Sequence, residues 1–594
     1  MYKHRVLTDL LRDLFIFSSV GIIVSAIILG FYFLVSFYIF LLGRITGLSL
    51  DIGTVREDFT VLANLNPGNP VLATLIMISL LAGFTITFLR PHTRGAGVEK
   101  AIEAYHLYGA RISPKDLVAK IFASTLTVGG GGSSGFLGPS IYIGGGIGGL
   151  LADVFKAVFF RRKIFFLAGI AAALSTIFNA PLGAAIYAIE TPHRRDLELR
   201  GLAACLFSSF SAHVFKLLVI GGKTLLPRFQ IDPTIIYRPE NLLSLIILGL
   251  LTGVAGKIFL IFYTRWKQII HRNKQRLWIG ILVGSTITVI AYFISPLSVG
   301  SGTTFLSELI VSSEEYAVIA SFIVLILVLR IIETVTVIGS GGSGGLFAPS
   351  IVIGGILGFL YAIIIRGVIE TQPIPLYIYA GMASFYGGIS ATPIGTSIMI
   401  GEMSGNYLLI PVQLLLGVIS REVVGRDCLC KTQTPSRLTS SLEKLTYIHD
   451  LIFRKTPILL EKKLREYEEI FEKTAIITIK NIKADKKVVD EILDKLYSHG
   501  LETVIVKNTK NEILGLIEKK NLVQLVFPRH KQKLPITPVI EANVDTTIAE
   551  SIRKMTLNNI EYLVITMNTD IRVVSAEKLY DRLLEEIIRQ EKPK

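Results

Sequence analysis

Apolar positions gather into long runs near 14–42, 71–89, 139–160, 164–190, 199–220, 241–264, 278–296, 318–338, 350–368, 376–401 and 408–420. Several approach the roughly 20 residues that a helix needs to cross a bilayer, and others are short or broken by glycine and proline. A soluble core can absorb one or two such runs but not all of them. The pattern predicts a polytopic α-helical membrane domain with broken helices. The run at 15–42 is longer than the apolar part of a cleavable leader and lacks a small-residue processing site. It reads as a retained first helix, and Lys3, Arg5 and Arg12 before it favour a cytoplasmic N-terminus.

The pattern changes after Ser420, and from Leu442 charged residues alternate with short apolar stretches. AIITI at 475–479, TVIVKN at 503–508 and ILGLIE at 513–518 read as strands, with an amphipathic helix over 488–500 and another beginning at 521–527. The order then recurs less clearly: PVIEANV leads to a helix over 547–559, strands over 561–567 and 571–576, and a helix near 577–589. The expected organisation is a membrane domain over 12–424, a linker over 425–441 and a soluble α/β domain over 442–594. Two similar units fall near 474–527 and 534–589, braced by 442–472.

Within the apolar sequence, two glycine-rich runs about 210 residues apart share one pattern, GGGGSSGFLGPSIYIGGGIG at 129–148 and GSGGSGGLFAPSIVIGGILG at 339–358. Ser133, Gly135, Pro139, Ser140, Ile143, Gly144 and Gly145 match Ser343, Gly345, Pro349, Ser350, Ile353, Gly354 and Gly355 in order. A second pair follows, 168–190 and 380–402, each with a proline (Pro181, Pro393) nine residues before a glutamate (Glu190, Glu402). The direct reading is an internally duplicated membrane domain.

Glycine lets main chain turn sharply and approach a ligand closely. The first run can present the amides of Gly135, Phe136, Leu137 and Gly138 at a helix start, and the second those of Gly345, Leu346, Phe347 and Ala348. Interrupted helices whose N-termini meet in the membrane favour an anion through unsatisfied N–H groups. Close packing of helices through small residues is the plain alternative. The duplication, the placed proline and the shared Ser-x-x-Ile-Gly-Gly pattern weigh against it. Neither run ends in Gly-Lys-Ser or Gly-Lys-Thr, so a nucleotide phosphate loop is not indicated.

Composition narrows the picture further. The chain has 594 residues, 51% of them hydrophobic, a formal net charge of +15 and three cysteines. The charge fits cytoplasmic loops and a soluble tail near anionic lipid. No basic stripe interleaved with aromatics points to nucleic acid. Three cysteines make no disulfide framework, and Cys428 and Cys430 have no neighbouring histidines to suggest zinc. No nucleophile, base and orienting group emerge together, so an enzyme is not expected. A magnesium transporter needs an oxygen-rich cation site, whereas these runs are rich in amides. Asp116 and Lys120 read as an interface pair. The basic cluster around Arg265, Lys267 and His271 reads as a solvated loop able to attract anions.

On these motifs the membrane domain resembles the CLC family of chloride channels and anion–proton exchangers, and the tail resembles the paired CBS domains of many members. The resemblance implies inverted repeats around helix N-termini, a homodimer with a separate anion pathway in each subunit, and a cell-membrane location with both termini cytoplasmic. Gly345-Leu346-Phe347-Ala348-Pro349 fits the family's Gly-x-Phe-x-Pro segment completely. Gly95-Ala96-Gly97-Val98-Glu99 stands where the family has Gly-Ser-Gly-Ile-Pro, so Ala96 replaces its serine. Gly135-Phe136-Leu137-Gly138-Pro139 stands where it has Gly-Arg-Glu-Gly-Pro. Leu137 thus replaces the glutamate implied to gate the pathway and carry protons in exchangers. Thr191 replaces the internal proton-transfer glutamate, and Glu190 beside it matches a position expected to stabilise helix ends. Cys430, three residues before Gln433, aligns with a pathway tyrosine. With Ala96 this predicts a pathway poor in side-chain hydroxyls, served by backbone amides and the Phe347 ring edge.

The resulting expectation is passive conduction of a small monovalent anion, chloride by default. A proton-coupled exchanger using displaced carboxylates or water is the alternative. No cofactor is required. In the tail, the resemblance implies an adenine-nucleotide cleft near Asn521, Ser575 and Lys578. Asn521 and Lys578 stand where acidic residues are common, which favours a structural or dimer-stabilising tail.

Overall fold

The computed structural model describes residues 2–48, 59–155, 159–222, 226–229, 231, 233–367, 373–436, 444–445, 448, 452, 458–479, 486–498, 500–509, 511–519, 534, 536–558, 560–567 and 570–591. The chain divides into two compact units, one of Met1–Ala157 and Arg161–Pro435, the other of Ser436–Lys594 with Val158–Phe160.

The first unit is an α-helical bundle. Among the described residues, eight helices are long and apolar enough to span a membrane, from Leu11–Ile45 to Tyr407–Val424. Their starts follow local chemistry. Asn69 accepts from the amides of Val71 (2.9 Å) and Leu72 (3.4 Å) and caps Pro70–Leu89, with proline in the first turn where its missing N–H costs nothing. Large apolar side chains on the outer faces stay exposed, among them Phe37, Ile78, Leu218, Leu251 and Phe262, as a lipid-facing surface requires.

The runs at 164–190 and 376–401 are each split. The first gives Phe159–Phe178 and Pro181–Glu190, the second Ile374–Ser390 and Pro393–Ser404. The chain breaks just before each proline, where Asn179 and Ala391 adopt left-handed backbone (φ 56° and 59°). The short helices that follow pack against each other. A Cβ on Gly183 would meet the Met399 backbone, and one on Gly395 the Tyr187 backbone.

The second unit repeats one βαββ order. Strands β1 (Glu472–Lys473), β2 (Ala475–Ile479), β3 (Thr503–Asn508), β4 (Ile513–Glu518), β5 (Ile540–Asn543), β6 (Tyr562–Met567) and β7 (Asp570–Ser575) form two sheets. In one, β2 pairs parallel with β3 and β3 antiparallel with β4. In the other, β5 pairs parallel with β6, β6 antiparallel with β7, and β1 closes the edge beside β7. Helices Lys486–Ser498 and Ile548–Asn558 make the two parallel crossovers. The expected strands at 475–479, 503–508 and 513–518 coincide with β2, β3 and β4. The helix expected from 521–527 lies outside the described residues.

Candidate functional site

The two glycine runs meet backbone to backbone. Gly135 N–H donates to Gly345 O (2.9 Å) and Gly345 N–H donates to Gly135 O (2.6 Å), closing an antiparallel bridge between the halves of the bundle. These two amides are therefore occupied and do not serve as the anion donors expected of them. The helices Leu137–Val154 and Phe347–Ile365 begin immediately after the bridge. Their first-turn N–H groups have no intrahelical acceptor, and Pro139 and Pro349 have none to offer. Leu137, Gly138, Phe347 and Ala348 are left as donors.

The third segment closes on this pair. A Cβ on Gly138 would overlap the Ala96 carbonyl oxygen, and one on Gly97, which has φ 86°, would lie 2.6 Å from Gly138 O. A Cβ on Gly345 would lie 2.7 Å from both Gly135 O and Gly138 N. Only glycine permits these approaches. Ala96, Gly138 and Gly345 are thus brought to one point from three distant segments. Ser133 Oγ and Thr334 Oγ1 (2.8 Å) and Ser124 Oγ and Ser343 Oγ (2.9 Å) tie the surrounding loops. Glu333, which the sequence pattern did not single out, accepts the Ser133 amide at 3.1 Å. Lys120 is fully buried and donates to Thr93 O (3.0 Å) and Gly95 O (2.9 Å), fixing the turn before Ala96. The expected Asp116–Lys120 pair does not form. Asp116 instead lies 3.7 Å from Arg90, because the Lys120 ammonium is turned toward those carbonyls.

Beside the convergence lies a narrow cavity of about 20 Å³, room for one small ion or water. Ala96, Leu346 and Cys430 line it, with Thr191, Ser390 and Gln433. The alignment of Cys430 with a pathway position therefore has a spatial counterpart. Burial, then the neighbouring Cys428, push the Cys430 thiol well above its ordinary range, so it stays neutral. Leu137, Phe136 and Phe347 are buried, and Leu137 puts an aliphatic side chain where a gate carboxylate was looked for. Thr191 directs its hydroxyl to Tyr187 O (2.5 Å), and its carbonyl accepts from Gln433 Nε2 (2.9 Å).

The expected scarcity of hydroxyls is corrected by the structure. Tyr187, Tyr263 and Tyr386 all line the cavity, and the Tyr187 and Tyr386 hydroxyls are 2.8 Å apart. The Phe347 ring meets Tyr386 edge-on at 4.8 Å. Tyrosines in apolar helices read as core from sequence, which is why they were missed. Glu99 also lines the cavity, and among the described residues it is the lone carboxylate there. It forms a close ion pair with Lys267, and its carbonyl accepts from Thr432 Oγ1 (3.1 Å).

Glu190 and Glu402 act reciprocally elsewhere. Glu190 accepts the amides of Ile394 (3.1 Å) and Gly395 (2.6 Å), and Glu402 those of Leu182 (3.2 Å) and Gly183 (2.6 Å). Each carboxylate caps the N-terminus of the partner helix, the role expected of Glu190.

In the tail, a cleft of about 380 Å³ contains Ser575 and Lys578, while Asn521 lies outside the described residues. Glu472, Glu502, Glu518, Glu561, Glu577 and Asp581 also line it. Lys578 is paired with Glu472 at 2.8 Å. Tyr562 donates to Glu518 at 2.8 Å, and burial followed by that bond pushes its phenol up. Among the described residues no group of three or more His, Cys, Asp or Glu side chains is placed to hold a metal.

Comparison with known proteins agrees with this architecture. The profile of the voltage gated chloride channel family matches residues 78–425. The H(+)/Cl(-) exchange transporter ClcA of Vibrio parahaemolyticus is 26% identical over 378 residues, 60% of this chain and 77% of its own. The crystal structure of a slow cyanobacterial Cl-/H+ antiporter superposes with a TM-score of 0.58 at 23% identity, covering 70% of this chain and 94% of that one. That of a eukaryotic CLC transporter gives 0.55 at 17% identity, covering 96% and 98%. The chain belongs to the voltage gated chloride channel family, and is a polytopic anion transport protein rather than an enzyme.

Proposed function

We propose that this family member moves a small monovalent anion, chloride by default, through the cavity beside the meeting of segments 95–99, 135–138 and 345–348, in exchange for protons by a route of its own. The observation behind the anion assignment is the convergence of two helix N-termini, with four amides that have no intrahelical acceptor, beside a cavity of single-ion size that Ala96 and Leu346 line. The coupling half of the proposal rests on relatives named as proton–chloride exchangers, and it displaces the passive conduction expected from sequence. Leu137 and Thr191 favour that second reading, since neither side chain binds a proton. Exchange here requires another titratable group or ordered water.

The two readings separate in proteoliposomes of purified protein. An imposed chloride gradient is applied with voltage set by a potassium ionophore, with and without a proton ionophore. Exchange predicts chloride flux that drives protons uphill. Flux without proton movement restores passive conduction, and absence of any anion flux removes both.

The reciprocal Gly135–Gly345 and Glu190–Glu402 contacts support reading the halves as inverted repeats. By the same resemblance we assign a homodimer in the cell membrane with both termini cytoplasmic, and a tail built as a CBS-like pair. The six carboxylates of the tail cleft oppose a nucleotide phosphate, which favours a structural role for that unit.

A further inference from the structure

A carboxylate in the lining of an anion cavity is a liability unless it is neutralised. Glu99 is in that position, half-buried, and Lys267 from the helix Pro239–Ile270 is its counter-charge. Glu99, Tyr263 and Cys430 all line the same space, and Lys267, partly exposed and outside the lining itself, pairs with Glu99 from one helical turn beyond Tyr263. When an anion enters, it faces Glu99 directly, and both draw on the charge of the Lys267 behind it. Two negative charges then share one positive charge at close range, with little water between them. A proton on Glu99 resolves the conflict by leaving one anion facing one ammonium.

We propose that protonation of Glu99 is linked to anion binding in this cavity, so that Glu99 and Lys267 form the proton-sensitive element that Leu137 and Thr191 no longer supply. The inference rests on the anion reading of the cavity, and it holds for either mode of transport. Linkage is reciprocal: if a proton tightens the anion, the anion tightens the proton by the same factor. Glu99 acts electrostatically on Tyr263, Lys267 and His271, on or just after their helix, and on Cys430, while Arg94 acts on the same His271 and Arg194 on the same Cys430. His271, an imidazole held below its ordinary range by burial, is the competitor that needs a control. Its Nε2 lies 3.1 Å from Gly339 O, on the neighbouring helix end.

The test is calorimetric titration of the purified full chain with potassium chloride at pH 5 and pH 8, in buffers of different ionisation enthalpy. The expected result is chloride affinity about tenfold higher at pH 5, with proton uptake approaching one per chloride. Glu99→Gln binds tightly at both pH values without proton uptake. Glu99→Asp, which keeps a titratable group, restores the dependence and controls for misfolding. His271→Gln leaves it intact. Binding that does not vary with pH in the native chain, or linkage that survives Glu99→Gln, overturns the proposal while the anion reading stands. Absence of chloride binding at both pH values overturns the two together.

Discussion

Two regions of the membrane unit place glutamates at helix ends, and they use them differently. Where Pro181–Glu190 crosses Pro393–Ser404, Glu190 and Glu402 each meet two backbone amides and, among the described residues, no cation. Their charge is absorbed by the partner helix, and the geometry is fixed. At the cavity, Glu99 sits in the first turn of Val98–Leu107 with a side-chain ammonium, that of Lys267, as its partner. A carboxylate held by rigid amides stabilises the fold. One held by a lysine beside an ion-sized space is free to respond to what enters. The same residue type thus meets main chain in one region and a side-chain charge beside a cavity in the other.

The strongest way to break the comparison is to remove the frame that both regions depend on. Gly138→Ala puts a methyl group onto the Ala96 carbonyl, and Gly345→Ala puts one between Gly135 O and Gly138 N. Either is expected to lower anion flux per folded molecule at least about 100-fold, the scale on which an ångström of misplacement acts. Liposome flux normalised to the monodisperse peak on size exclusion checks this. Next in size, Glu190→Gln exchanges a charged acceptor of two amides for a neutral one and should cost about 2–3 kcal/mol. The cost appears as a lower Tm, with chloride binding retaining its pH dependence. Glu402→Gln should cost less, because Glu402 is half-buried where Glu190 is buried. Equal losses, or a transport defect without a fall in Tm, would erase the distinction between the two regions.

The smallest effect lies in the tail. Burial would raise Glu586, but the hydrogen bonds from Lys462 (2.7 Å) and Tyr467, and the charges of Lys462 and Arg582, hold it below the ordinary carboxylate range. A carboxyl depressed in the folded state stabilises above its unfolded pKa, and that contribution disappears as pH falls through the folded value. The tail should therefore loosen only on strong acidification, by at most about 1 kcal/mol from this pair. Hydrogen exchange of residues 458–591 in the full chain, compared with Glu586→Gln, measures it. The variant should show the weaker protection already at neutral pH.

Much of this was legible in the sequence. The apolar runs give the spanning helices, Pro181 and Pro393 mark where two runs break, and alternating residues fix β2, β3 and β4 to the residue. The duplicated glycine runs point to the convergence because few other sequences let backbone approach backbone so closely. What was not legible has a common cause. Tyr187, Tyr263 and Tyr386 sit in apolar helices, and nothing in a one-dimensional pattern distinguishes a hydroxyl aimed at a cavity from one satisfied in a core. Glu99 and Lys267 are 168 residues apart, and only the folded bundle makes them neighbours. The spacing of Asp116 and Lys120 suits a pair on one helical face, yet two carbonyls outcompeted the carboxylate.

The bridge between Gly135 and Gly345 also sets an order of assembly. Its two hydrogen bonds join residues some 210 positions apart, so neither half can satisfy the main chain before its own helix unaided. Without Gly345, the Gly135 N–H and C=O have no backbone partner, a costly state within a bilayer. The centre of the pathway is therefore among the last parts of the membrane unit to form. A chain that stops before Gly345 lacks the last two spanning helices, Phe347–Ile365 and Tyr407–Val424, and leaves Gly135 without its backbone partner.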